Sequence, residues 1–378
     1  MKIGILTLPQ ETNYGGILQA FALQRTLRDL GHEAITIDRH WPRGYSSLAI
    51  HIGSFLSRQI KHYLLHRPVS TKWIPYLTDE EYAIVSQNTQ QFIDRNILMT
   101  RRVFSHQLPE IESEYQFDAY VVGSDQVWLD YYCPNSFLDF VKRPNVKRVT
   151  YAASCGKKSF FNDEEKVLQC KELARQFDGI SVREEGLMEK CKVSLGIDVQ
   201  WVLDPTMLLN IEDYLSVVTP SQDQEPIVFS YILDHTNTKQ ELISKVTSLL
   251  KLESIEGNLQ KTYVKDGETK IDECIYPSVD EWINNIHRAK FVVTDSFHGT
   301  VFSILFNKPF IAVGNPKRGM ERFVSLLKMF GLEDRLVIDA HPLDVDMIMK
   351  KEIDYKKVEI ILAIKRQEAF EFLTKSLA

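Results

Sequence analysis

At 378 residues, 44% apolar and 25% charged, the chain is too long for one ordinary hydrophobic core and too apolar for disorder, so two domains are expected. A formal charge of −6 gives no overall attraction to nucleic acid, and no zinc-finger spacing or RNA-binding signature occurs. The opening Met1-Lys2-Ile3-Gly4-Ile5-Leu6 meets Pro9 too soon for a signal-peptide core, and no uncharged apolar run of about eighteen residues follows, so a cytoplasmic protein is expected.

The first elements form a βαβ opening. An apolar strand over Lys2 to Thr7 leads through Asn13-Tyr14-Gly15-Gly16 into a helix ending at Gly31, with Ile17, Ala20, Phe21, Leu23, Leu27 and Leu30 at helical spacing. A strand from Ala34 to Ile37 follows. The segment His40 to Lys72 then breaks the alternation: it carries Arg43, Arg58, Lys61, Arg67, Lys72 and four histidines, and no Asp or Glu. It admits two readings, a docked insertion helix with a solvated basic edge or a surface that meets anionic lipid or a lipid-pyrophosphate carrier.

Further strands are expected at 119–122, 148–151 and 179–182, with helices near 163–176 and 184–192 and a last strand at 201–205 stopped by Pro205. Alternating strands and helices imply a mainly parallel sheet covered on both faces. The polar stretch 219–226 is a surface connection, after which a second alternation starts at 227–231. It continues through helices near 236–251 and 279–289, a strand at 291–294, a helix from Gly299, a strand at 310–313 and a helix from about Gly319. The organisation is therefore residues 1–218 as one Rossmann-like domain with an insertion at about 40–115, residues 219–350 as a second, and a helix in 351–378 that can cross back onto the first.

Five cysteines, Cys133, Cys155, Cys170, Cys191 and Cys274, are widely spaced and never CxxC, which fits reduced thiols and neither a disulfide frame nor a zinc site. Cys155, beside Gly156, reads as a small buried side chain rather than a nucleophile. The most informative stretch is Phe291 to Thr300, a buried strand running through Asp295-Ser296-Phe297-His298-Gly299 into a helix. In an open α/β sheet such a turn receives ligands, Asp295 or Ser296 can cap the helix, and its first N–H groups favour an anion. His298 stands there either as a functional group or as a capping or core histidine.

In order along the chain, Asn13-Tyr14-Gly15-Gly16 with Gln19, Val122 to Trp128 (VGSDQVW), Ser181-Val182-Arg183-Glu184, Asp204-Pro205-Thr206 and Asp295 to Gly299 resemble the polysaccharide pyruvyltransferase family. The resemblance implies a GT-B-like α/β fold, two Rossmann-like domains facing a central cleft. It also implies phosphoenolpyruvate as donor, a sugar diol on a cell-surface or exopolysaccharide precursor as acceptor, release of phosphate, and no obligatory metal or cofactor. His298 becomes the general acid that protonates the enol methylene, and Arg183 the donor-contacting arginine; the alternative for Arg183 is a surface ion pair with Glu184 or Glu185. Some relatives carry Arg where this chain has Ser296, so Lys317, Arg318 and Arg322 of the following basic loop are the candidate replacements, with Ser296 and Gly299 beside the donor. On the acceptor side the expectations are Asn13, Gly15, Gly16 and Gln19, with Asp125 to orient or deprotonate a hydroxyl and Trp128 to stack on a sugar or to lie in the core. Two other functions suit the same architecture: a GT-B glycosyltransferase using a nucleotide-sugar, and a non-catalytic sugar-binding protein of polysaccharide assembly.

Overall fold

The computed structural model describes residues 1–40, 48–67, 69, 71, 73, 77–156, 163–259, 270–314, 319–338 and 344–378. Apolar runs too short for helices supply two parallel sheets. The first has β1 (Lys2–Leu6), β2 (Glu33–Thr36), β5 (Ala119–Val122), β6 (Lys147–Ala153), β7 (Gly179–Val182) and β8 (Gln200–Trp201), in the order β2-β1-β5-β6-β7-β8. The second has β9 (Ile227–Tyr231), β10 (Glu253–Glu256), β11 (Ala289–Thr294), β12 (Phe310–Gly314) and β13 (Leu336–Ile338), in the order β10-β9-β11-β12-β13. A two-stranded pair, β3 (Arg39–His40) with β4 (Val103–Phe104), brackets the insertion. The central strands are buried along nearly their whole length, as parallel strands covered by helices must be.

The helix Tyr14–Asp29 carries its apolar positions into one continuous core that also takes in the helices Val279–Arg288 and Phe297–Leu305, so the two halves share apolar packing. Tyr14 shows how: its ring stacks on Trp282 with centroids 5.7 Å apart, and its hydroxyl donates to the Pro277 carbonyl at 2.8 Å. The helix Glu185–Lys190 is tied to the helix Glu321–Phe330 by Lys190–Glu321 and Lys328–Glu185 ion pairs, each at 2.6 Å. The last helix, Tyr355–Leu377, lies against β6 and packs Phe372 on Tyr151, and its Arg366 donates to the Met207 carbonyl at 2.7 Å.

Candidate active site

Strand order decides where the site can be. From β1 the chain goes to β2 on one side and, after the insertion, to β5 on the other; from β9 it goes to β10 on one side and β11 on the other. Connections leaving the carboxyl ends of such neighbours diverge and open a crevice. Gly15 and Asp125 lie at the first crevice and His298 at the second. The two crevices meet, because a Cβ built on Gly15 would fall 2.0 Å from Nδ1 of His298.

Around this junction the N-terminal half assembles a buried charge cluster. Arg183, at the end of β7, donates through Nη1 to Asp204 and through Nη2 to Asp125, each at 2.8 Å, and Nη1 also reaches Ser124 Oγ at 3.2 Å. Its guanidinium lies over the Phe297 ring, 4.4 Å from the centroid, which couples the cluster to the other domain by a cation–π contact. Asp204 leaves the sheet after β8 and caps the short turn Pro205–Met207, accepting from the Thr206 N–H at 3.1 Å and its hydroxyl at 2.7 Å. Its other oxygen accepts from Ser124 Oγ at 2.9 Å and stands 3.7 Å from Nε2 of His298. That ring nitrogen is buried and has no hydrogen-bond partner among the described residues.

Asp125 is held in a left-handed conformation, φ +71°, which a non-glycine residue adopts only when its surroundings enforce it. Here its carbonyl accepts from the Ser154 N–H at 3.0 Å while its carboxylate is fixed by Arg183. On the opposite wall Ser296 is the N-cap of the helix Phe297–Leu305 and accepts from the Gly299 N–H at 3.3 Å. Asp295 does not cap; it anchors Lys239 at 2.6 Å and accepts from the N–H groups of Leu233 and Asp234. Gly299 is required because a Cβ would come 2.2 Å from Thr294 Oγ1.

The charges settle accordingly. Burial pushes the Asp204 carboxyl up, but the nearby His298, 3.7 Å away, then the charge of Arg183, more than offset this and hold it far below the usual range. Asp125 is likewise raised by burial and carried below its ordinary value by Arg183, then His298 and Arg322. Glu184 goes the other way: burial raises it, and Arg183, Ser154 and Arg322 offset only part of that. The cluster thus keeps two ionised carboxylates on one guanidinium beside an imidazole.

Residues 13–317 of the chain match the family described as polysaccharide pyruvyl transferase. The chain belongs to that family. As a polysaccharide pyruvyl transferase it is a transferase of polysaccharide biosynthesis with a saccharide acceptor. No curated protein matches it in sequence. Among solved structures it is similar to UDP-GlcNAc 2-epimerase from Neisseria meningitidis bound to UDP-GlcNAc, at 9% identity and a TM-score of 0.53 over 100% of this chain and 99% of that one. UDP-GlcNAc 2-epimerase from Methanocaldococcus jannaschii is similar at 11% identity and a TM-score of 0.51, over 96% and 99%. These likenesses bear on the fold alone, two facing Rossmann-like domains of the GT-B kind.

In this pyruvyltransferase several expectations need correction. Arg183 is not a surface ion pair, since its side chain is 1% exposed, and the fork expected to clasp the donor is already engaged by Asp125 and Asp204. Trp128 is not open to a sugar: it is buried in the core and stacks on Phe137 at 5.2 Å. Gln19 is also fully buried, donating to Thr7 Oγ1 at 2.8 Å and the Gly16 carbonyl at 2.9 Å. Gly16 has room for a side chain, with the nearest atom, of Asn13, 3.4 Å from a Cβ, so close approach is demanded at Gly15 alone. Asn13 is exposed at the mouth of the first crevice. Lys317 and Arg318 lie outside the described residues, whereas Arg322 stands 6.0 Å from the Phe297 centroid. Arg288, at the amino end of β11, is about 20 Å from the turn that carries His298 at the other end of that strand. The cluster partners Asp204, Ser124 and Phe297 were visible in the sequence only as motif letters without roles.

Among the described residues no group of His, Cys, Asp and Glu is arranged to hold a metal ion, and no helix is long and apolar enough to cross a membrane.

Proposed function

We propose that the chain forms a pyruvate ketal, taking the pyruvyl group from phosphoenolpyruvate and placing it on two hydroxyls of one sugar in a cell-surface or exopolysaccharide precursor. The observation that carries the reading is the buried, unpartnered Nε2 of His298 beside the ionised Asp204, where the crevices of the two domains meet. Ketal formation needs a proton on the methylene carbon of the enol phosphate. The adjacent carbon becomes oxocarbenium-like, one sugar hydroxyl adds, phosphate leaves, and the second hydroxyl closes the ring. Imidazole is the side chain suited to give that proton near neutral pH, and Asp204 is a fixed counter-charge for the imidazolium.

The donor anion would be met by the N–H groups of Phe297 and His298, which precede the first intrahelical bond of their helix, from Thr300 to Ser296 at 3.0 Å. Arg322 and the sequence candidates Lys317 and Arg318 would add positive charge. Asp125, fixed by Arg183, would orient or deprotonate an acceptor hydroxyl, with Asn13 at the entrance. The reading includes no resident metal or cofactor, so turnover should survive chelation.

The test is phosphate release from phosphoenolpyruvate over a panel of α- and β-galactosides, glucosides and mannosides, with His298→Ala alongside. A folded His298→Ala protein that still binds donor but loses on the order of 10²- to 10⁴-fold in turnover supports the assignment. Near-normal turnover removes His298 from the chemistry, and protection of the protein by a nucleotide diphosphate but not by phosphoenolpyruvate overturns the choice of donor.

A further inference from the structure

The helix Leu48–Gln59 and its continuation Ile60–Leu64 are inside out. Ile52, Leu56, Ile60, Tyr63 and Leu64 fall on one face and are 41–72% exposed, with Leu65 beyond them also exposed. On the opposite side the buried Arg58 donates to Ser54 Oγ at 2.6 Å and to the Trp73 carbonyl at 3.4 Å. Gln59 donates to the Thr71 carbonyl at 2.9 Å, and Phe55 packs edge-on against Trp73 with centroids 5.0 Å apart. The protein has turned polar side chains inward to hold the returning chain and has left the aliphatic stripe outside. A helix docked for stability does the reverse, and a contiguous exposed stripe of this kind marks a surface that meets a partner.

Charge identifies the partner. Residues 40–72 contain Arg43, Arg58, Lys61, Arg67 and Lys72 and no acidic residue, within a chain of net charge −6. Lys61 and Arg67 are exposed at the end of the stripe. A second copy related by two-fold symmetry would set this basic segment against itself. An anionic lipid surface complements both the stripe and the charge. The run is about 25 Å long, and no helix among the described residues qualifies to cross a membrane, so it would lie in the interface and not span.

We propose that this helix docks the protein on an anionic membrane surface, with Ile52, Leu56, Ile60, Tyr63 and Leu64 in the acyl boundary and Lys61 and Arg67 at the headgroups. The inference goes beyond pyruvyl transfer and does not depend on it. Docking would bring the enzyme to acceptors carried on lipid.

Flotation of the full chain with vesicles tests it, using phosphatidylcholine alone and phosphatidylcholine with about one-third phosphatidylglycerol. The protein should float with the anionic vesicles, bind the neutral ones on the order of tenfold less, and be released as salt is raised. Leu56→Glu with Leu64→Glu should weaken binding on the order of tenfold or more while leaving thermal midpoint and phosphate release unchanged, and Lys61→Gln with Arg67→Gln should weaken it on the anionic vesicles only. No flotation with either vesicle, or equal and salt-insensitive flotation with both, overturns the proposal. So does a concentration-dependent dimer abolished by the leucine variant, which would give the stripe to a second copy. Should the leucine variant fail to fold, the lipid and salt dependence of the wild type still decides. Because flotation is read without turnover, its failure leaves the pyruvyl-transfer reading standing.

Discussion

Gly15 and His298 touch across the two domains so closely that a methyl group on the glycine would sit 2.0 Å from the imidazole Nδ1. The glycine is buried in the helix Tyr14–Asp29, so the backbone of one domain forms the floor on which the other domain's histidine rests. Gly15→Ala should therefore displace the ring without altering any charge. A loss of turnover on the order of 10²-fold is expected, with donor affinity little changed, because a misplacement of about 1 Å is enough for that. Steady-state kinetics with a thermal midpoint close to wild type would check it, and unaltered turnover would show that the ring position is not limiting.

Asp204 ties acid stability to the site. Its folded pKa lies below the unfolded value of about 3.8, so the unfolded chain takes up the proton more readily. Its contribution is complete above that value and is lost as pH falls toward the folded one. Asp204→Asn should flatten this acid limb and cost on the order of 3 kcal/mol at neutral pH, since Arg183 is then short of a buried counter-charge. Denaturant titrations from neutral to acid pH measure both. An unchanged acid limb would mean that other carboxylates set it.

Glu184 has the opposite sign. Burial raises its folded pKa, so the fold favours the protonated form: the stability this confers is present below the unfolded value and lost as pH rises through the folded one. Glu184→Gln should stabilise the protein at neutral pH by on the order of 1 kcal/mol, and the gain should vanish below about pH 4. Thermal midpoints at the two ends of that window suffice. Destabilisation at neutral pH would show instead that the Glu184 charge is needed by Arg183 or Arg322.

Arg322 reaches the site over the Phe297 ring and helps to hold Asp125 ionised. If it meets the donor phosphate, Arg322→Ala should raise the KM for phosphoenolpyruvate by roughly tenfold or more, the worth of a charge-assisted contact, and spare that of the acceptor. Separate donor and acceptor titrations distinguish the cases. Equal KM values for both proteins would leave donor binding to the helix N-terminus.

Local patterns announced most of the scaffold. Apolar runs broken by Gly, Pro and polar turns predict the two parallel sheets, and helical spacing from Ile17 to Leu30 predicts a face that is indeed buried. The strand-to-helix turn at Ser296 and His298 was legible for the same reason, since capping and turn chemistry act over a few residues. Arg183, Asp125 and Asp204 belong to separate strand ends, and only the packed sheet shows that the guanidinium is spent on the two carboxylates. Trp128 as a stacking surface and Gln19 as a polar amide suit a ligand by residue type, yet the fold closes over them. The helix from Leu48 makes the point most sharply. Periodicity reveals that a helix has an apolar face, but which way that face turns depends on what the rest of the chain leaves free, and here Arg58 and Ser54 take the inside while Leu56 and Ile60 are left outside.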